Sequence, residues 1–217
     1  MNRREFTVGA ACVLATTALG VPGAVFAQPG RPQDGAQYLT LKERVTVEAP
    51  PGKIEVVEFF WYSCPHCNAF EPRLEAWIKK LPPDVVMRRV PVAFRDDFVP
   101  QQRLFYSLEA MGKLDELHNK VFREIHDGHS PINREDLIVA WAEKQGLDKV
   151  KFREHYNSFT VSTKARRAIQ LQDAFKVTGV PSIGVAGRFY TDGELAGNME
   201  LALEVTDFLI AEARKLR

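Results

Sequence analysis

Cysteine is scarce in this chain: three in 217 residues, at positions 12, 64 and 67. That is too few for a disulfide scaffold, and a chain of this length buries a core without such staples. An excess of one charge is missing as well. The 29 Lys and Arg stand against 28 Asp and Glu, a formal net charge of +1. Such a balance excludes the basic footprint of a nucleic-acid binder and an acidic solvating tail. There are no internal repeats, and a composition that is 45% hydrophobic and 26% charged is that of an ordinary globular protein. What remains is one domain carrying an insertion, or two small domains.

Residues 1–27 read as an export signal. Arg3 and Arg4 form a positive start, no further charge follows between Phe6 and Arg31, and Pro22-Gly23 breaks the apolar run. Val25-Phe26-Ala27 is a small-x-small pattern, which places cleavage after Ala27. Both twin-arginine and Sec signals begin in this way, and an uncleaved anchor is the bland alternative. Cleavage removes Cys12. One cysteine pair is then left, in an oxidising compartment.

The hydrophobic pattern beyond the signal predicts the order of elements. Tyr38–Leu41 suggests a short strand, and Pro50-Pro51-Gly52 a turn. Ile54–Phe60 is β-branched and aromatic, a buried strand except for Glu58. A helix is expected over Pro65–Lys80, kinked by Pro72, and a parallel strand over Val85–Val92. Helices are expected at Gln101–Met111, Leu114–Ile125, Asn133–Gln145, Asp148–Tyr156 and Thr163–Lys176. A hairpin, Ser182–Val185 and Arg188–Tyr190, turns at Ala186-Gly187, and an amphipathic helix closes the chain over Asn198–Leu216. The order β-α-β, helices, β-β-α describes a split α/β sheet with an all-helical insertion. The boundaries are 28–95 with 161–217 for the sheet domain and 96–160 for the insertion.

The chemistry sits at Cys64-Pro65-His66-Cys67, at the strand-to-helix junction. Two thiols at i and i+3 can close a disulfide across the first helical turn. The helix N-terminus offers unsatisfied N–H groups and partial positive charge, which favour thiolate over thiol. Pro65 suits the first helical position, where its missing N–H costs nothing, and His66 is a second source of positive charge. A structural disulfide or half of a metal site are the competing readings. No further cysteine completes a metal site, and Asn68 stands where haem attachment needs histidine. His118, His126, His129 and His155 are most simply surface or loop histidines. Pro181, directly before a strand, marks a sheet edge or a cis bond. Glu58 alternates in phase with Val56 and Phe60, which points to burial beneath the dithiol, where a carboxyl can take up or release protons.

These residues resemble the DsbA family of periplasmic thiol:disulfide oxidases. The resemblance rests on CPHC at 64–67, the strand VVEFFWY before it, NAFEP after it, the helical insertion, and Val180-Pro181. It implies a thioredoxin fold with an inserted all-helical domain, and a redox-active Cys64–Cys67 disulfide. Cys64 would be the attacking and attacked thiol, Cys67 its buried partner, Pro181 cis, and Val180 beside the substrate. The implied partners are exported polypeptides with free cysteines and a DsbB-like membrane protein that passes electrons to quinone. No cofactor or metal is expected, and the protein is expected to be a monomer. Ala186-Gly187 stands where the family often has Asn-Gly, which leaves the turn type open. Rival functions are an isomerase or reductase using the same motif, a thiolate metal-binding module including His66, and a peroxidase working through a sulfenate.

Overall fold

Strand β2, Ile54–Phe60, runs through the middle of the protein, and all seven of its residues are buried. The computed structural model describes residues 30–216, so the expected export signal lies outside the described residues. β2 leads into α1, Pro65–Ile78, which returns to a parallel neighbour, β3, Val85–Pro91. The β-branched and aromatic run of β2 has no polar face to turn to water, so it must be covered on both sides. Two further strands, β4 at Ser182–Val185 and β5 at Phe189–Asp192, pair antiparallel to one another, with β4 also antiparallel to β2. The two-residue β1, Leu39–Thr40, completes a five-stranded sheet in the order β1-β5-β4-β2-β3.

Two apolar clusters cover the sheet. One joins Ile54, Val56 and Ile183 to Phe70 and Leu74 of α1 and to Leu209 and Ile210 of the closing helix. That helix is the last of eight, α8, Met199–Lys215, and it begins where the Asn198 side chain accepts the Leu201 N–H. The second cluster joins Val57, Phe59, Phe60, Cys64 and Cys67 to five helices lying between β3 and β4. These are α2, Val99–Ala110; α3, Leu114–His126; α4, Glu135–Lys144; α5, Lys149–Tyr156; and α6, Phe159–Ala174. The one-turn α7 is Gly193–Ala196. Among the described residues, no helix is long and apolar enough to cross a membrane.

Several expectations shift. Helix α6 starts at Phe159, not Thr163, because the Ser158 hydroxyl accepts the Val161 N–H and caps it there. Two residues therefore separate α5 from α6, a joint too short to show as a break in periodicity. Pro181 does not mark a sheet edge, since β4 lies between β5 and β2.

The open turn resolves as well. Ala186 and Gly187 both have positive φ, 54° and 63°, the signature of the mirror-image turn that matches the twist of a hairpin. A Cβ on Gly187 would drive into the Val45 carbonyl oxygen. Gly187→Ala should therefore lower stability by more than about 1 kcal/mol, measured by urea unfolding. An unchanged midpoint would refute this close approach.

Candidate active site

Cys64 is the residue at which the chain turns from extended to helical. Its φ and ψ are −80° and 118°, and Pro65 follows as the first helical residue. No acidic side chain occupies the first turn of α1, so nothing there competes with an anion for the free N–H groups. Cys64 keeps 8% of its surface and Cys67 none, while Pro65 and His66 are exposed. Both thiols are free. The two sulfurs are held in opposite states. A hydrogen bond from the Cys67 thiol is the main influence lowering Cys64, burial opposes it, and the backbone N–H groups of Cys67 and His66 and the His66 ring assist. The net result is a Cys64 thiol lowered from 9.0 to about 6. Burial pushes Cys67 well up, helped by its hydrogen bond to Cys64 and by the neighbouring Glu58 carboxyl. The His66 ring thus plays a smaller part than the Cys67 thiol beside it.

Across the site the Val180–Pro181 bond is cis, and the Val180 carbonyl oxygen lies 3.5 Å from Cys64 Sγ. The structure thus brings Val180 and Pro181, which sequence separates from Cys64 by more than a hundred residues, to the dithiol.

The preceding loop, Trp61 to Ser63, is tied by hydrogen bonds at three points to the helices between β3 and β4. Gln101 Nε2 on α2 donates to Ser63 Oγ at 2.8 Å and to the Ile132 carbonyl at 3.2 Å. His126 Nε2 is 2.8 Å from the Tyr62 carbonyl oxygen, to which it must donate. The Tyr62 hydroxyl is 2.8 Å from His118 Nδ1. His118 is only 4% exposed, which overturns its reading as a surface histidine, and His126 is half-buried with a backbone partner. The Trp61 ring stacks on Phe98 with centroids 3.9 Å apart.

Beneath the dithiol lies a charge cluster. Glu58 is fully buried, so an edge-strand carboxylate is excluded. Parallel pairing sets Glu58 opposite Arg89, and Arg89 Nε is 3.3 Å from Glu58 Oε2. The geometry is not that of a hydrogen bond, however, and neither Glu58 oxygen has a partner of that kind among the described residues. Arg89 instead turns Nη2 to Glu71 and, at 2.5 Å, to Glu75. One cation facing three carboxyls cannot hold all three ionised in a buried setting. Glu58 is the one that keeps its proton: burial first, then the Glu71 charge, lift it from 4.5 to about 8 against the pull of Arg89. Burial also pushes Glu71 up, but His118 and Arg89 more than offset this and hold it below its ordinary value.

Glu71, Glu75, Arg89, Gln101 and Tyr62 were missed in the sequence. Glu71 and Glu75 did carry a signal, lying four and eight residues after Cys67 on one face of α1. No cluster of three or more metal-ligating side chains occurs among the described residues.

Comparison with known proteins agrees with this geometry. The model of the DSBA-like thioredoxin domain matches residues 55–204. The thiol:disulfide interchange protein DsbA of Bordetella parapertussis is 42% identical over 99% of this chain and 100% of its own length. That of Pseudomonas aeruginosa is 38% identical over 93% of this chain and 96% of its own. The crystal structure of the Pseudomonas aeruginosa DsbA superposes with a TM-score of 0.79 at 40% identity, covering 84% of this chain and 94% of that one. The oxidoreductase DsbA from Xylella fastidiosa gives 0.79 at 30% identity, covering 85% and 99%. With a family model over residues 55–204 and relatives of 42% and 38% identity along nearly the whole chain, the chain belongs to the DsbA family of thiol:disulfide interchange oxidoreductases.

Proposed function

We propose that the protein works as a disulfide donor to newly exported polypeptides in the periplasm, with residues 1–27 as its export signal. The observation that carries this reading is the contrast between the two sulfurs: a Cys64 lowered to about 6 and a buried Cys67 pushed well up. A site that stabilises one thiolate favours its own reduced form, and so gives its disulfide away.

A substrate thiolate attacks Cys64 Sγ of the Cys64–Cys67 disulfide. The substrate–Cys64 bond forms, the Cys64–Cys67 bond breaks, and the electron pair leaves on Cys67. Cys67, a weak acid in its buried site, takes the proton that Glu58 holds at neutral pH. A second substrate thiolate then attacks the substrate sulfur of the mixed disulfide. The substrate leaves oxidised, and Cys64 departs as the thiolate that the helix N-terminus and the Cys67 thiol favour. Two electrons have passed from substrate to protein. Pro65 starts the helix without an N–H to satisfy, His66 adds to the positive surroundings of Cys64, and Val180 beside Pro181 offers its backbone to an extended substrate segment.

The helices within 96–160 act as an inserted domain that holds the catalytic loop through Gln101, His118 and His126. Re-oxidation falls to a DsbB-like membrane protein that passes the electrons to quinone, and the protein acts as a monomer.

Equilibration with glutathione at pH 7 tests the direction. A disulfide donor should show a midpoint more positive than about −200 mV, whereas a value near the −270 mV typical of thioredoxin would make the protein a reductant.

A further inference from the structure

One buried titratable group has no part in the steps above. His118, on α3, is enclosed by the rings of Phe60, Phe105 and Phe122, with centroids 5.3, 6.1 and 5.3 Å away. Its polar neighbours are few. Tyr62, from the loop before Cys64, faces Nδ1 at 2.8 Å. Glu71 of α1 faces Nε2, with Oε1 at 3.5 Å. That distance is long for a hydrogen bond, but Nε2 has no nearer partner. Arg89 of β3 and Glu75 of α1 complete the charged surroundings, and Glu58 of β2 stands behind Arg89.

The tautomer follows from this arrangement. An ionised carboxylate only accepts, so the ring proton sits on Nε2, facing Glu71; Nδ1 is then the acceptor, and the Tyr62 hydroxyl donates to it. Burial lowers the proton affinity of His118 against the pull of Glu71, so the ring is neutral at pH 7. Tyr62 therefore orients His118, whose Nε2 proton faces the Glu71 carboxylate at 3.5 Å, the same logic by which a buried carboxylate and imidazole orient one another in hydrolase triads.

We propose that His118 is a positioning residue for disulfide exchange: held in one tautomer by Tyr62, it keeps Glu71 ionised, and the Glu71 charge in turn keeps the transferable proton on Glu58 beneath Cys67. The proposal rests on the reading of Glu58 as proton donor to Cys67. Its physical content is a competition. Glu58, Glu71 and Glu75 share Arg89, so whichever carboxyl is best supplied with donors ionises and leaves the proton to the others. Glu71 accepts a hydrogen bond from Arg89 Nη2 and also faces the His118 ring at 3.5 Å, whereas Glu58 has only Arg89 Nε at 3.3 Å, without hydrogen-bond geometry. Removing the imidazole donor lets Glu71 compete for the proton, and Glu58 then gives it up at lower pH.

Infrared spectroscopy of the protonated carboxyl C=O stretch provides the test, because it needs no turnover. The Glu58 band is assigned by its loss in Glu58→Gln, and in the unaltered protein it should disappear with a midpoint near pH 8. In His118→Leu that midpoint should fall by about one pH unit or more, the usual effect of losing one neighbouring charge. His118→Gln restores a side-chain N–H close to the Nε2 position, and its midpoint should stay close to that of the unaltered protein. Glu71→Gln removes the charge directly and should lower the midpoint as His118→Leu does, which keeps the test alive if the leucine variant does not fold. An unmoved midpoint in His118→Leu or Glu71→Gln overturns the proposal, as does a shift in His118→Gln as large as in His118→Leu. Failure of the donor reading appears elsewhere: Glu58→Gln would then leave the exchange rate unchanged, whatever the band does.

Discussion

Cys64→Ser and Cys67→Ser should both bring disulfide donation down to the uncatalysed level, since neither can form the Cys64–Cys67 disulfide, while Cys67→Ser alone should still form a mixed disulfide on Cys64 when offered oxidised glutathione. The asymmetry follows from burial and ionisation together. Cys64 is the sulfur with surface left to attack, and at pH 7 a thiol lowered to about 6 is mostly thiolate. Cys67 has no exposed surface and a thiol pushed well above its ordinary value, so it cannot stand in as nucleophile. With serine at position 67, the Cys64 thiolate displaces one glutathione thiolate from oxidised glutathione, and the resulting mixed disulfide has no internal thiol to resolve it and should accumulate. Alkylation of the reduced protein should label Cys64 with a midpoint near pH 6. Because the Cys67 thiol is the main donor to Cys64, Cys67→Ala should raise that midpoint, whereas Cys67→Ser, which keeps a hydroxyl donor, should raise it less. Labelling of Cys67 first would reverse the assigned roles, and equal midpoints in the two variants would remove Cys67 as the donor to Cys64. Mass spectrometry of the trapped adducts distinguishes these outcomes.

Glu58→Gln should stabilise the protein strongly at pH 8 and hardly at all at pH 4. Glu58 binds its proton more tightly folded than unfolded, about 8 against 4.5. Between those values the native state therefore carries more protons than the unfolded one, and stability falls as pH rises through this window. The loss saturates above pH 8 and is on the order of 4 kcal/mol for a shift of this size. Glutamine has no proton to lose and both Glu58 oxygens lack hydrogen-bond partners, so the neutral amide replaces the neutral acid at little cost. Glu71, whose lowered value acts in the opposite sense, is present in both proteins. Urea unfolding at the two pH values measures the difference. A stabilisation of equal size at pH 4 and pH 8 would show that Glu58 is not the group holding the proton.

How far the site was legible in the sequence depended on whether a signal was local. CPHC at the end of an apolar strand specified the helix start, the proline at its first position and the thiolate-favouring surroundings, because each depends on residues only a few positions apart. Glu58 stood out for a similar reason: a carboxyl in the run IEVVEFF has no water to face. What supports it was not legible. Arg89 reaches Glu58 through the β2–β3 register, and a pattern of apolar residues does not fix the register of a strand buried on both faces. His118 lies on an amphipathic helix, where a single histidine is ordinarily solvated; only the packing of α3 against Phe60 and Tyr62 puts it inside. The start of α6 was missed because the Ser158 cap follows the end of α5 so closely.

The protein favours its reduced form through an ionised Cys64. At pH 7 the fall from 9.0 to about 6 stabilises the reduced state by about 1.4 kcal/mol, or about 30 mV in a two-electron couple. Cys64 ionisation is therefore a contributor to an oxidising potential and not the whole of it. The pH dependence of the potential isolates that contribution. Below the Cys64 value, reduction takes up two protons with two electrons, and the midpoint should fall by about 59 mV per pH unit. Above it only Cys67 is protonated, and the slope should halve to about 30 mV per unit. Glutathione equilibria from pH 4.5 to about 7.5, followed by the separation of reduced and oxidised protein, should show the break near pH 6. A single slope of about 59 mV per unit across the whole range would mean that Cys64 stays protonated, and would contradict the account.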